Sequence, residues 1–136
     1  MKKIEEIEVG VAEVVDYLKM TGGFRPALRE VVARKVTAQS AKESGLKVTD
    51  KELQKAADAF RLINGLSKSS DTQNWLKSNG ISIEVFEDFL ETNILISSFK
   101  DKLEETTDKT NYIASEGIKE SMREMMYQDW LKEQMK

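Results

Sequence analysis

The sequence predicts an all-α protein, a bundle of about six helices in which a long C-terminal helix completes the module. Apolar residues recur at i, i+3, i+4 and i+7 through most of the 136 residues, which is the spacing of amphipathic helices. The chain has one Pro, and Gly or Asn-Gly pairs stand at the ends of the periodic segments, as they do where helices stop. No stretch alternates polar and apolar residues in the way that predicts a strand.

The first two helices are predicted on either side of a Gly-Gly pair. The apolar stripe from Val11 to Leu18 ends at Gly22-Gly23. Pro26 then stands where the first turn of a helix tolerates proline. Apolar and small residues extend this second helix towards Gly45.

Capping boxes predict the starts of the third and fourth helices. Thr49-Asp50-Lys51-Glu52 has the Thr-x-x-Glu form, in which the hydroxyl and the carboxylate each accept a hydrogen bond from a backbone N–H. The third helix continues to a left-handed stop at Asn64-Gly65. Ser70-Asp71-Thr72-Gln73 predicts the start of a short fourth helix, which stops at Asn79-Gly80.

The last two helices are predicted to be long and to be joined by a polar segment. Ser82 caps the fifth helix, whose apolar residues occupy more than one stripe up to Leu103 and therefore predict either burial on two sides or a long contact with a partner. Residues 104–116 are polar and predict a linker. Apolar residues at i+4 spacing then predict a sixth helix over 117–136. At this length the chain, residues 1–136, is predicted to be a single domain.

Composition excludes the commonest enzyme chemistries. The chain has no His and no Cys, so it cannot form a Ser-His-Asp or Cys-His catalytic system, a zinc finger or a disulfide. Its 21 Lys and Arg against 24 Asp and Glu give a net charge of -3, which argues against nucleic-acid binding. It has no phosphate-binding Gly motif, no calcium loop, and no apolar run typical of a signal peptide or a membrane span. We therefore expect a cytoplasmic protein that uses no metal or cofactor and binds neither nucleic acid nor membrane.

Two charged clusters each have a ligand-binding interpretation and a structural one. An acidic cluster shares one side of the fifth helix and could ligate a hard cation, but a solvated face opposite the apolar stripe explains it better; its members are Glu84, Glu87, Asp88 and Glu91. A basic cluster near the start of the second helix could bind an anion, although ordinary helix surface is favoured; its members are Arg25, Arg29, Arg34 and Lys35.

The sixth helix carries a face rich in Met. Met122, Met125 and Met126 lie beside Trp130, and such a soft apolar face suits the binding of varied peptide segments. The same stripe predicts closure of the core. Both interpretations hold if the helix lines a cleft.

Three motifs, taken in order, resemble a known family. They are a Val-Thr-Asp-x-Glu-Leu helix start at residues 48–53, the small helix and turn at 75–82, and Phe86-Glu87-Asp88-Phe89-Leu90 in a long helix. This arrangement resembles the N-terminal chaperone domain of SurA-like, PpiC-type peptidyl-prolyl isomerases. Residues 11–36 are similar to the preceding helices of variants associated with peptide maturation. Residues 127–131 resemble the helix that returns after the isomerase domain to complete the module.

The resemblance implies a SurA N-terminal-domain-like helical bundle and the chaperone-like half of such proteins. In these isomerases a parvulin domain of about 100 residues separates the fifth and sixth helices, where this chain has only the polar segment 104–116. A parvulin site also usually includes His, which this chain lacks. Prolyl isomerase activity is therefore not expected.

We predict a non-catalytic, chaperone-like module that binds an unfolded or precursor peptide in an apolar groove between the fifth and sixth helices. The residues predicted to bind the peptide are Phe89, Ile96, Phe99, Met122, Met126 and Trp130. The alternative is an accessory or dimerising subunit of a peptide-modification or maturation system, with a partner enzyme or a homodimer formed by exchange of the sixth helix. A third hypothesis, an enzyme using Tyr17, Tyr112, Tyr127 or buried carboxylates, needs a deep pocket with a polar constellation.

Overall fold

A computed structural model of the chain describes residues 7–106 and 119–136. Six α-helices and no strand occur in these residues, which confirms the predicted all-α class. The helices are α1 (Val11–Thr21), α2 (Phe24–Glu43), α3 (Asp50–Ile63), α4 (Ser69–Ser78), α5 (Ile83–Thr106) and α6 (Lys119–Gln134).

The chain divides into two compact units, residues 1–33 and residues 34–136. The boundary falls inside α2. The first unit contains α1 and the first half of α2, and the second unit contains the second half of α2 together with α3 to α6. The predicted assignment of residues 1–136 to a single domain stays a prediction.

The predicted caps of α3 and α5 are confirmed. Thr49 Oγ1 accepts a hydrogen bond from the N–H of Glu52 at 3.1 Å, and Glu52 Oε1 accepts one from the N–H of Thr49 at 3.3 Å. Ser82 Oγ accepts a hydrogen bond from the N–H of Val85 at 3.2 Å. Both caps satisfy backbone donors that the first turn of a helix leaves without an intrahelical partner.

The predicted capping box at residues 70–73 is wrong. α4 begins at Ser69, and the carboxylate of Asp71 accepts a hydrogen bond from the N–H of Lys68 at 3.3 Å. Asp71 stands at the third position of the helix, where an acidic side chain reaches back to the capping residue. Ser70 is therefore already helical and does not cap α4.

The glycine stops after α3 and α4 are confirmed. Gly65 has φ +67° and Gly80 has φ +64°, a left-handed conformation that only glycine adopts at little cost. These turns end both helices and set the directions in which the chain enters α4 and α5.

Two apolar clusters form the core of the unit that begins at residue 34, and α5 contributes to both. Near the start of α5 the cluster contains Ala57, Leu76, Phe86 and Leu90. Further along α5 the second cluster contains Ala41, Leu95 and Phe99. The predicted burial of α5 on more than one side is therefore confirmed.

The segment between α5 and α6 begins later than predicted. α5 continues through Thr106, so the first three residues of the predicted linker 104–116 are helical, and residues 107–116 lie outside the described residues. α6 confirms the sixth helix from Lys119, and it packs against α5 of its own chain. Within the described part of the chain, no helix is both long and apolar enough to cross a membrane.

Candidate functional site

An apolar cavity with a volume of about 310 Å³ lies between α3, α4 and the start of α5. We call it the aromatic pocket. Its lining residues are Phe60, Asn64, Trp75, Ile81, Val85, Phe86 and Phe89.

The floor of the aromatic pocket is part of the rigid core. Phe86 is buried in the first apolar cluster. The Phe60 ring meets Phe86 edge-on at a centroid distance of 5.1 Å and meets Trp75 edge-on at 5.3 Å. Edge-to-face packing of this kind fixes ring orientations. The pocket therefore has a defined shape in the absence of a ligand.

The rim of the aromatic pocket exposes apolar surface to solvent. Val85 is 58% exposed and Phe89 is 46% exposed, and they lie one turn apart on the same side of α5. On α3, Leu62 and Ile63 are also exposed and directly precede the lining residue Asn64. Val85 and Phe89 thus form an exposed apolar edge of the pocket.

One cation stands beside this rim. The guanidinium carbon of Arg34 lies 4.7 Å from the centroid of the Phe89 ring, within cation–π range. Arg34 Nη1 donates a hydrogen bond to Asn93 Oδ1 at 2.8 Å, and Nη2 donates one to the Phe89 carbonyl at 3.3 Å. These contacts hold Arg34 and the Phe89 ring in place at the edge of the pocket.

The chemistry of the lining favours binding over catalysis. The lining is aromatic and aliphatic apart from the Asn64 amide, and none of its seven residues is titratable. General acid–base or nucleophilic catalysis requires a titratable or activated group in contact with the substrate. The aromatic pocket can accept an apolar side chain but offers no such group to it.

The structure places the six predicted peptide-binding residues in two regions. Phe89 lines the aromatic pocket. Phe99 and Trp130 meet edge-on at a centroid distance of 4.8 Å between α5 and α6. Phe99 follows Phe89 by ten residues, or roughly 15 Å along a helix. Phe89 therefore lies apart from Phe99 and Trp130 along α5.

The predicted groove between α5 and α6 is filled by side chains of α6. Met122 and Met126 are buried, as is Phe99, while Ile96 is half-buried. Met125, by contrast, is 53% exposed. In this arrangement most of the Met-rich face closes the core, and a peptide would reach it only if α6 left α5.

Polar contacts also fasten α6 to α5. Lys100 Nζ donates a hydrogen bond to Glu124 Oε2 at 2.9 Å, and this bond holds the pKa of the Glu124 carboxyl below its ordinary value of 4.5. Arg123 Nη2 lies 2.9 Å from Asp101 Oδ1 and donates a hydrogen bond to the Ser97 carbonyl at 2.8 Å. Such partly exposed ion pairs each contribute little stability, but together they fix the position of α6.

The structure describes two of the three tyrosines of the third hypothesis. Tyr17 is exposed on α1. Tyr127 is buried, and its hydroxyl lies 3.1 Å from Thr37 Oγ1. Tyr112 lies outside the described residues.

Most of the aromatic pocket was not predicted from the sequence. Phe60 belongs to the apolar stripe of the predicted third helix, Trp75 to the short fourth helix and Arg34 to the basic cluster, and the spacing of these residues does not indicate that they converge. A usable signal was the concentration of aromatic residues: between positions 60 and 89 the chain has four, whereas its first 59 residues have two.

The described residues form a small all-α module with an open, mainly aromatic pocket on one unit. A family model described as the SurA-like N-terminal domain matches residues 11–100. The chain therefore belongs to the family of SurA-like N-terminal domains, and the predicted relationship is confirmed.

One curated relative gives the scale of the match. The chain is similar to Chaperone SurA of Ralstonia nicotianae, with 29% identity over 75 residues. This alignment covers 55% of the chain and 15% of that SurA protein. No solved structure matches the chain significantly.

Proposed function

We propose that the protein is a non-catalytic, chaperone-like module that binds an unfolded or precursor peptide. The observation that carries the proposal is the aromatic pocket, a cavity with a rigid floor and an exposed apolar rim. Membership of the SurA-like family supports a chaperone-like role. Phe89 is the one predicted contact residue that lines this pocket, and we propose it as a direct contact.

The size of the aromatic pocket suits one or two side chains. Its volume of about 310 Å³ lies at the lower end of the range for small-molecule sites. Burying one large apolar side chain contributes about 1.5–3 kcal/mol, less than the roughly 4 kcal/mol that corresponds to a Kd of 1 mM. One anchor therefore cannot hold a peptide alone, and the exposed rim must add contacts. Weak, reversible binding of several residues is what this surface supports.

The other five predicted residues belong to a second, conditional site. Ile96, Phe99, Met122, Met126 and Trp130 would contact a peptide only after α6 has separated from α5. Their role in peptide binding stays a prediction, and the experiment below distinguishes the two sites.

The two Trp residues report on the two sites separately. Trp75 lines the aromatic pocket, whereas Trp130 lies between α5 and α6. The chain has two Trp, so Trp130→Phe leaves Trp75 as the single Trp and Trp75→Phe leaves Trp130, and excitation that is selective for Trp reports on each one alone. Titration with a peptide that has a central Leu should change the fluorescence of Trp75. The same peptide with Ser in place of Leu should bind at least about tenfold more weakly.

Two matched variants test the location. Val85→Asp places a charge on the rim of the aromatic pocket and should abolish the Trp75 response. Met125→Asp places the same charge on an exposed apolar residue of α6 and should leave it unchanged. The proposal is wrong if calorimetry detects no binding of either peptide up to about 1 mM. A response from Trp130 alone would move the site to the groove between α5 and α6.

An accessory subunit of a peptide-modification or maturation system is the second candidate. The observation that favours this role is the apolar surface of α1, which lies outside the aromatic pocket and contains no buried residue. Co-elution of the protein with a peptide-modifying enzyme, and its loss on substituting α1, would support this role. The cytoplasmic location expected from the sequence stays a prediction.

A further inference from the structure

The N-terminal segment, residues 7–32, exposes most of its large apolar side chains. It contains nine of the fifteen large hydrophobic residues that are exposed in the described structure, although it is less than a quarter of the described chain. Val11 is 81% exposed and Met20 is 87% exposed. The nine are Ile7, Val9, Val11, Val14, Tyr17, Met20, Leu28, Val31 and Val32.

The exposure of α1 conflicts with its being a stable helix on its own. α1 has 11 residues and none of them is buried. Isolated helices shorter than about 12–15 residues are marginal in water, and helices in proteins are stabilised mainly by packing an apolar face. The apolar residues of α1 therefore require a covering surface.

The exposed area matches one side of a dimer interface. Met20 lies on the opposite side of α1 from Val11, because nine residues are two and a half helical turns. The other eight side chains together expose the equivalent of about four and a half complete ones, and at roughly 60–120 Å² each they offer about 270–540 Å² of apolar surface. An interface of standard size buries about 800 Å² per partner, of which about 57–65% is apolar, or roughly 450–520 Å². The N-terminal segment can thus supply the apolar share of such an interface.

The order of charges indicates that the covering surface is a second copy. In the first half of the segment the charges are acidic: Glu8, Glu13 and Asp16. From Lys19 onward they are basic except for Glu30, and include Arg25 and Arg29. A two-fold axis brings the same patch of both subunits together. In an antiparallel pair, the acidic half of each copy then meets the basic half of the other.

We propose that residues 7–32 form a two-fold interface with the same residues of a second copy of the chain. This surface is separate from the groove between α5 and α6, and the proposal does not depend on peptide binding in the aromatic pocket.

Two charge-reversal variants test the proposal. Glu13→Lys with Asp16→Lys makes the segment mainly basic, and Arg25→Glu with Arg29→Glu makes it mainly acidic. Sedimentation analysis should show that the wild type is dimeric at about 100 μM and that each variant dimerises at least about tenfold more weakly. An equimolar mixture of the two variants should recover a dimer, because each acidic patch then faces a basic one.

The matched control reverses two acidic residues outside the segment. Glu84→Lys with Asp88→Lys changes the net charge as much as the first variant does, on exposed positions of α5, and should leave the dimer intact. Circular dichroism confirms that each variant is folded.

Three results would overturn the proposal. A monomeric wild type at this concentration excludes the interface. A different protein would then be the partner that covers residues 7–32. A dimer that survives both reversals uses another surface. A mixture that stays monomeric contradicts the two-fold arrangement. None of these results bears on the Trp75 titration, so the failure of this proposal and of the proposed function can be distinguished.

Discussion

Met126→Ala should destabilise the fold strongly, whereas Met125→Ala, one position earlier, should not. Met126 is 3% exposed and Met125 is 53% exposed. The substitution removes three heavy atoms, each worth about 0.8 kcal/mol when fully buried. The transfer cost at Met126 is therefore about 2.4 kcal/mol, and the cavity left behind raises it to roughly 3 kcal/mol. At Met125 about half the transfer cost applies and solvent fills the space, so we expect Met125→Ala to lower the free energy of unfolding by about 1 kcal/mol or less.

Urea denaturation followed by circular dichroism measures both values. Both variants replace Met by Ala in the same helix, so the change in helix propensity cancels when they are compared. A difference of about 2 kcal/mol corresponds to a shift of several degrees in Tm for a chain of this length. Equal effects at the two positions would refute the inference that the Met-rich face mainly closes the core. This inference would also be refuted if Met126→Ala left stability unchanged but weakened peptide binding.

Three further predictions test local features. Thr49→Ala should lower the free energy of unfolding by about 1 kcal/mol by removing the cap on Glu52 N–H, and Thr49→Ser should restore most of it in urea denaturation. Gly80→Ala should lower the free energy of unfolding by about 1–2 kcal/mol because residue 80 has a left-handed backbone, whereas Gly80→Asn, whose short polar side chain tolerates that conformation, should cost less. Because the pKa of Glu124 is lowered in the fold, its contribution to stability is present above pH 4.5 and is lost as the pH falls through the lowered value. Glu124→Gln should therefore reduce the difference in the free energy of unfolding between neutral and acidic pH. An unchanged loss of stability at acidic pH would contradict this.

Local features of the fold could be predicted from the sequence. The capping box at Thr49 and the stops at Gly65 and Gly80 involve residues three or four apart, so their chemistry is visible in the order of residues. The start of α4 was predicted wrongly because two neighbouring side chains, those of Ser70 and Asp71, can each accept a hydrogen bond from the backbone there. Asp71 reaches the backbone of Lys68, and this moves the helix start ahead of Ser70.

The aromatic pocket could not be predicted in the same way. Phe60, Trp75 and Phe89 are separated by about fifteen residues each, and only the angles between helices decide whether they converge. Periodicity likewise identified the stripe through Met122 and Met126. It could not show that α6 packs this stripe against its own α5.

The packing of α6 has a consequence for synthesis. The ring of Trp130 packs on Phe99, and the buried Tyr127 lies 3.1 Å from Thr37, so α6 completes a core whose other walls, α2 and α5, are synthesised earlier. Residues 107–134, from the end of α5 to the end of α6, take roughly 1–6 s to translate at about 5–20 residues per second. For those seconds the apolar side of α5 has no α6 over it. A nascent chain of this protein therefore passes through a state in which part of its own core is exposed to water.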